Sequence, residues 1–211
     1  HSFPTRRSSD LQDIDTTYKK NIEVKKVKNY DELTDELGKA LSKGATDVKI
    51  EIVENLKKYL QKNYFKKLID EAGYKSKNDY YINEMSGYSW SGIGNEVEFQ
   101  FNYLETPAET KMVEDEVKRI IKDIIKPNMS EEEKVKVIHD YIVTHVQYDV
   151  NGLTNGNEAH TAYAGLFTDK TGEAHETVCQ GYALLFYKMA TEAGLEARIM
   201  KIGRASCRER V

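Results

Sequence analysis

The stretch "ETVCQGYALLFYK", residues 176–188, puts a thiol where chemistry can use one. Cys179 stands at the start of an apolar helical run, with the small residues Gly181 and Ala183 just behind it. A thiol attacks a carbonyl as the thiolate, and helix N-termini favour the thiolate through their dipole and free N–H groups. The same N–H groups can hold the oxyanion that forms on attack. Gln180 follows the cysteine, and its backbone N–H is one candidate oxyanion donor. A free cysteine is also a common small core hydrophobe. From spacing alone the core reading carries more weight.

A thiol nucleophile needs a base, and no histidine follows Cys179 in the chain. The upstream candidates are His139, His145, His160 and His175. His175 lies four residues before the cysteine in a polar loop that gives it no fixed orientation. His139 sits beside Asp140 on a helix and suits a local hydrogen bond or a solvent-facing position. His145 is expected at the edge of the core. His160 adjoins Thr161-Ala162-Tyr163 and fits a loop or capping role, with the cleft as the alternative. No pair of these has zinc-ligand spacing with a cysteine, so neither metal nor cofactor is expected.

The ends of the chain differ from its middle. Arg6, Arg7, Arg204, Arg208 and Arg210 crowd the two tails, whereas the middle prefers lysine and holds only Arg119 and Arg198. "HSFPTRRSSDL" and "IGRASCRERV" can be written as one DNA read from opposite strands, and that DNA resembles a short-read sequencing adapter. Residues 1–11 and 202–211 therefore read as adapter-derived tails rather than parts of the folded unit. Cys207 falls in the second tail, which leaves Cys179 as the one natural cysteine and no intrachain disulfide. The segment between the tails reads as cut at both ends.

The whole chain has 31 Lys+Arg against 35 Asp+Glu, a net charge of −4, and removing the tails makes it more acidic. That balance argues against nucleic-acid binding. No apolar run approaches the roughly 18 residues of a membrane span.

Elements that could position the cysteine follow from periodicity. A strand is possible near "NIEVKKV". "YDELTDELGKALSKG" reads as a helix capped by Asp31 and stopped by Gly44. "TDVKIEIV" alternates as a strand with Val48, Ile50 and Ile52 on one face. "ENLKKYLQKNYFKKLIDEAG" reads as one helix, with Leu56, Leu60, Tyr64, Leu68 and Ile69 in a stripe and Gly73 as its stop. "NDYYINEMSGYSW" and "NEVEFQFNYLE" read as a hairpin-like pair of strands. Tyr80, Tyr81, Tyr88, Trp90 and Phe99 are expected in the core there, with a binding surface as the alternative. Pro107 opens a helix that ends before Pro127, Ser130 caps the next, and Val135, Ile138, Ile142 and His145 or Val146 form its apolar stripe. "AHTAYAGLF" suits a short helix, "DVNGLTNGNE" and "TDKTGEAHET" are loops, and the cysteine helix runs to Ala193, before Gly194. "LEARIM" reads as a strand. The fold class is α+β. The expected organisation is an α/β accessory module over residues 12–106, then a second domain over residues 107–201.

Three of these segments, in order, resemble one family. "EEEKVKVIHDYIVTHVQYD" ending in Tyr148-Asp149, "HTAYAGLF" with Thr161 to Tyr163, and "VCQGYALLFYKMATEAGLEARIM" with Val178 to Ala183 resemble the core of the bacterial transglutaminase-like superfamily. The resemblance covers about residues 107–200. It implies the helical first half of a papain-like core with Cys179 as nucleophile of a Cys-His-Asp triad. The histidine and aspartate would lie on strands beyond Met200. The implied reaction is attack on an amide of a protein or peptide substrate to give a thioester, which water or an amine resolves. Tyr163 matches the place of an aromatic oxyanion donor, with a core role as its alternative. The resemblance also leans toward an extracellular or cell-envelope setting. A non-catalytic binding or structural module of a surface protein, and an intracellular amidase, stay open as alternatives.

Overall fold

The computed structural model describes residues 24–150, 158–167 and 175–200. Both arginine-rich tails, Cys207, and most of the two polar loops lie outside the described residues. The first half is a sheet with helices on one face. Its strands are β1 (Lys25–Val27), β2 (Asp47–Ile52), β3 (Met85–Ile93) and β4 (Glu96–Tyr103), in the order β1-β2-β4-β3. β1 runs parallel to β2, and the other two pairings are antiparallel. Val48, Ile50 and Ile52 of β2 and Val97, Phe99 and Phe101 of β4 are buried, as their alternation requires. They meet Leu33, Leu37 and Leu41 of α1 (Tyr30–Leu41) and Leu68 and Ile69 of α2 (Lys62–Ser76) in one cluster.

Two boundaries in this half differ from the sequence reading. Asn29, not Asp31, caps α1: its side chain accepts the Glu32 N–H at 2.9 Å, while Asp31 sits in the first turn. The expected single helix after β2 is broken. Residues Glu54–Leu60 form a 3-10 helix, Gln61 is extended with ψ 145°, and α2 then runs past Gly73 to Ser76. The break keeps Leu56, Leu60, Leu68 and Ile69 buried but turns Tyr64 out to 49% exposure. Periodicity cannot register such a break, because every buried leucine still finds the same core.

The segment read as the first hairpin strand is a helix followed by a strand. Asn78 accepts the Tyr80 N–H and starts α3 (Asp79–Glu84). β3 begins only at Met85, with an irregularity between Met85 and Gly87. Tyr80 and Phe99 are fully buried, whereas Tyr88 and Trp90, opposite Phe101 and Phe99 on the edge strand, are 36% and 40% exposed. Edge position is the reason: β3 pairs with a single strand, β4. Trp90 still donates its indole N–H to the Leu60 carbonyl at 2.9 Å.

The second half is helical. α4 (Pro107–Ile124) opens with Thr106 and Glu109 in a reciprocal capping box and with Pro107 in its first turn. α5 (Glu131–His145) opens with the same device from Ser130 and Glu133. α6 (Ala162–Leu166) is short and capped by Thr161. α7 (Cys179–Glu192) ends before Gly194, whose φ of +79° suits glycine. Val113, Val117, Ile120, Ile138, Ile142, Leu184, Leu185 and Met189 form its core. Tyr80 of α3 joins this second cluster, so α3 serves both cores. Val135 is 43% exposed, which leaves Ile138, Ile142 and Val146 as the buried stripe of α5.

"LEARIM" does not form a strand among the described residues. A strand needs a neighbour to take its backbone groups. Here the carboxylate of Asp79 takes the Ile199 N–H at 2.6 Å and both arms of Arg198, at 2.8 and 2.9 Å.

Candidate functional site

Cys179 is the first residue of α7 and is exposed. The reading of this thiol as a core hydrophobe is therefore overturned. The buried side of α7 runs through Gly181, Leu184, Leu185 and Met189. Cys179 and Ala183, one turn apart, stay at the surface on another face. The first i→i−4 bond is from the Tyr182 N–H to the Val178 carbonyl, so the N–H groups of Cys179, Gln180 and Gly181 precede the helical ladder. Val178 supplies no side-chain cap.

The helix start is pinned by close packing. A Cβ on Gly181 would lie 1.8 Å from Thr177 Oγ1 and 2.4 Å from the Thr161 carbonyl oxygen. Only glycine lets α7 approach this far. Thr177 is fully buried, and its hydroxyl lies within donating distance of the carbonyls of Ala159, at 2.7 Å, and Thr161, at 3.1 Å. The Val178 N–H donates to the same Ala159 carbonyl. β5 (Gln147–Tyr148) pairs in parallel with β6 (Glu176–Thr177), and the Asp149 N–H donates to the Thr177 carbonyl. The three segments singled out in sequence, at Tyr148-Asp149, Thr161–Tyr163 and Val178–Ala183, thus meet around Thr177. Tyr182 closes the group: its hydroxyl donates to the Val146 carbonyl at 2.8 Å, and its ring stacks on Tyr148 at 6.1 Å.

Gln180 and Tyr163 make contacts that sequence did not foresee. The Gln180 side chain donates to the Asn83 carbonyl at 2.8 Å, which ties the residue after the cysteine to α3. The Tyr163 ring stacks on Phe167 at 4.7 Å and is half-buried. The Tyr163 backbone N–H donates to Glu105 Oε1 at 2.9 Å. Glu105 Oε2 accepts from the Tyr80 hydroxyl at 2.7 Å and from the Thr110 hydroxyl at 3.1 Å. Beside it, Glu84 is fully buried, and its Oε1 accepts the Glu105 N–H. Burial, then the neighbouring Glu105 charge, pushes the Glu84 carboxyl up to about 8. Burial also raises Glu105, against the pull of its three donors. Asp79, Asn83, Glu84 and Glu105 had no signal in the sequence, because each works through partners distant in the chain. Their near-complete burial is what marks them.

His160 and His175 border this arrangement through the backbone, and His139 and His145 lie on α5. His139 is exposed beside Asp140 at 3.3 Å. His145, expected at the core edge, is exposed in the last turn of α5 and stacked on Tyr141 at 4.1 Å. Its place in the helix explains this: Val146, one residue on, takes the buried position. His160 ends a 3-10 turn (Glu158–His160) and is half-buried. The carbonyl of His175 accepts the Gln147 N–H, and burial lowers its imidazole below the usual range. His145 and His175 share a small pocket with Glu116, Tyr141, Gly165 and Leu166, which does not include Cys179. Among the described residues, no three His, Cys, Asp or Glu side chains cluster as a metal site would require. No helix there is long and apolar enough to cross a membrane.

Compared with known proteins, residues 118–205 match the family model of the transglutaminase-like superfamily. No curated protein matches the chain. The matched span holds all three segments that meet around Thr177, together with Cys179.

Proposed function

We propose that Cys179 is the nucleophile of a thiol acyl-transfer site acting on an amide of a protein or peptide. The observation that carries this reading is its position: an exposed thiol on the first residue of a packed helix, beside backbone N–H groups outside the helical ladder. The thiolate sulfur adds to the amide carbonyl, and the C–N bond breaks as the amine leaves with a proton. The thioester that remains is resolved by water or by a second amine. The N–H groups of the first turn, that of Gln180 among them, offer the oxyanion hydrogen bonds, and Tyr163 is the candidate side-chain donor. On this reading the base and its orienting carboxylate come from a histidine and an aspartate beyond Met200. The last histidine of the chain is His175, so the chain by itself is expected to be inactive.

The test is the gene product extended past Met200. Its amide hydrolysis or amine exchange should fall by about 10³-fold or more in Cys179→Ala. A mass shift for an acyl adduct on Cys179 should accompany turnover. Unchanged turnover in Cys179→Ala would end the nucleophile reading. An extension lacking the histidine and aspartate would instead favour a non-catalytic transglutaminase-like module of a surface protein.

A further inference from the structure

Two carboxyl groups are buried together where the two cores meet, and their surroundings are unequal. Glu105 is 5% exposed, and its two oxygens accept from Tyr80, Thr110 and the Tyr163 N–H. That donor set suits a carboxylate. Glu84 is fully buried; its Oε1 accepts the Glu105 N–H, the Leu104 N–H also faces the carboxyl, and Oε2 has no hydrogen-bond partner among the described residues. That set suits a neutral acid, because an orphaned charged oxygen in this position would be costly.

We propose that Glu84 is a proton-held latch at the seam between the two cores, closed while its carboxyl is neutral and loosened when it ionises beside Glu105. Among the described residues, the groups facing the pair include no cation ion-paired with Glu84. From α3 come Tyr80 and Tyr81, and from β4 comes Tyr103. From α4 come Glu109, which adds like charge, and Thr110. From α6 comes the Tyr163 N–H. From α7 comes Lys188, which lies 4.2 Å from the Tyr80 ring, favours the charged form of Glu105 and is itself paired with Glu114 at 2.9 Å. Asp79 on α3 is taken up by Arg198.

The seam matters to the site because of what hangs from it. Glu84 is the last residue of α3, and the preceding carbonyl, that of Asn83, holds Gln180 beside Cys179. Glu105 holds the N–H of Tyr163. A second negative charge at Glu84 would repel Glu105 and strain both ties at once.

The sign of the pH effect follows from the raised carboxyl. In the unfolded chain Glu84 ionises near the ordinary glutamate value, whereas in the folded chain it holds its proton up to about 8. The folded state therefore binds more protons between those values, and the stability it gains at low pH is lost as pH rises through that window. Glu84→Gln keeps the shape and the acceptor for the Glu105 N–H but cannot ionise.

The experiment is thermal unfolding of this chain and of Glu84→Gln from about pH 5 to about pH 9. The variant should melt near the wild-type midpoint at the acid end and several degrees above it at the alkaline end. A difference that does not change with pH, or a variant less stable at the alkaline end, overturns the proposal. Infrared spectroscopy of the wild type near neutral pH should show a protonated-carboxyl band that Glu84→Gln lacks, and absence of that band in the wild type also overturns it. For the looseness itself, amide exchange at Tyr163 and Tyr182, corrected for intrinsic rates, should lose protection at the alkaline end in the wild type and keep it in the variant. Equal protection across the range in the wild type sinks the latch. None of these readouts needs turnover, so they stand or fall apart from the role of Cys179.

Discussion

The side-chain amide of Gln180 donates to the backbone carbonyl of Asn83 at 2.8 Å across 97 positions of chain. The residue that follows the exposed cysteine is thereby fastened to the last turn of α3, in the half of the chain that carries the sheet. α3 makes a second tie farther along α7, where the Asp79 N–H donates to the Tyr187 hydroxyl at 3.0 Å. Two ties about two turns apart fix both the position and the rotation of the cysteine helix.

Gln180→Ala should cost about 1 kcal/mol of stability, because the carbonyl of buried Asn83 loses its side-chain donor across a partly buried bond. Chemical denaturation with an unchanged m-value is the measurement. Gln180→Glu is the sharper comparison, since it presents an acceptor to an acceptor and should be worse than alanine. If glutamate is tolerated, the tie is not made in solution.

Gly181→Ala should be among the most damaging single-methyl changes in the chain. The added carbon would meet Thr177 Oγ1 and the Thr161 carbonyl well inside contact distance, and the second of these is backbone that cannot swing away. The expected loss is at least about 3 kcal/mol, at or beyond the usual range for overpacking. Thr177→Ala removes the hydroxyl oxygen that the added carbon would meet, but Gly181→Ala with Thr177→Ala should recover little: the clash with the Thr161 carbonyl remains. Substantial recovery would show that the side chain, not the backbone, sets the approach.

The site divides by how far its causes reach along the chain. Cys179 at a helix start was legible because helix starts are local: apolar spacing, small residues and a stop at Gly194 are all within one element. The meeting of Tyr148, Thr161 and Cys179 was legible only through family resemblance, since the bonds that assemble it run through Thr177 to carbonyls that carry no side-chain signature. α3 was missed because Tyr80, Tyr81 and Ile82 are good strand residues in isolation. What makes them helical is the Asn78 cap together with burial of Tyr80 in the second core. Glu84 and Glu105 gave no signal at all: a glutamate destined for burial looks like any other until the fold removes its water.

Cys179 should react as a surface thiol. In a Cys207→Ser background, which removes the second sulfur, alkylation by iodoacetamide under native conditions should proceed within about 10-fold of the rate in denaturant, because exposure leaves little for unfolding to add. The buried-cysteine alternative requires protection by the opening free energy, several orders of magnitude. A slow native reaction that denaturant accelerates by that factor would return Cys179 to the core.

Asp79 and Arg198 should prove coupled, and the coupling should explain how the chain after α7 is held without a strand. Asp79 is 3% exposed and accepts two arms of Arg198 and the Ile199 N–H. Asp79→Ala leaves that arginine and that amide without their acceptor, and removes the carboxylate that the buried site was built around. A loss of about 2–3 kcal/mol is expected, below the range for a fully buried pair because the Arg198 side chain is 39% exposed and water screens part of the interaction. Arg198→Lys should restore little, since one ammonium cannot match two parallel guanidinium bonds. A double-mutant cycle of Asp79→Ala with Arg198→Ala isolates the pair, and about 1 kcal/mol or more of coupling is expected. The Ile199 amide offers an independent check: it should lose exchange protection in Asp79→Ala but keep most of it in Arg198→Ala, because its acceptor is the carboxylate itself. Equal loss in both variants would mean that Arg198, not Asp79, organises residues 195–200.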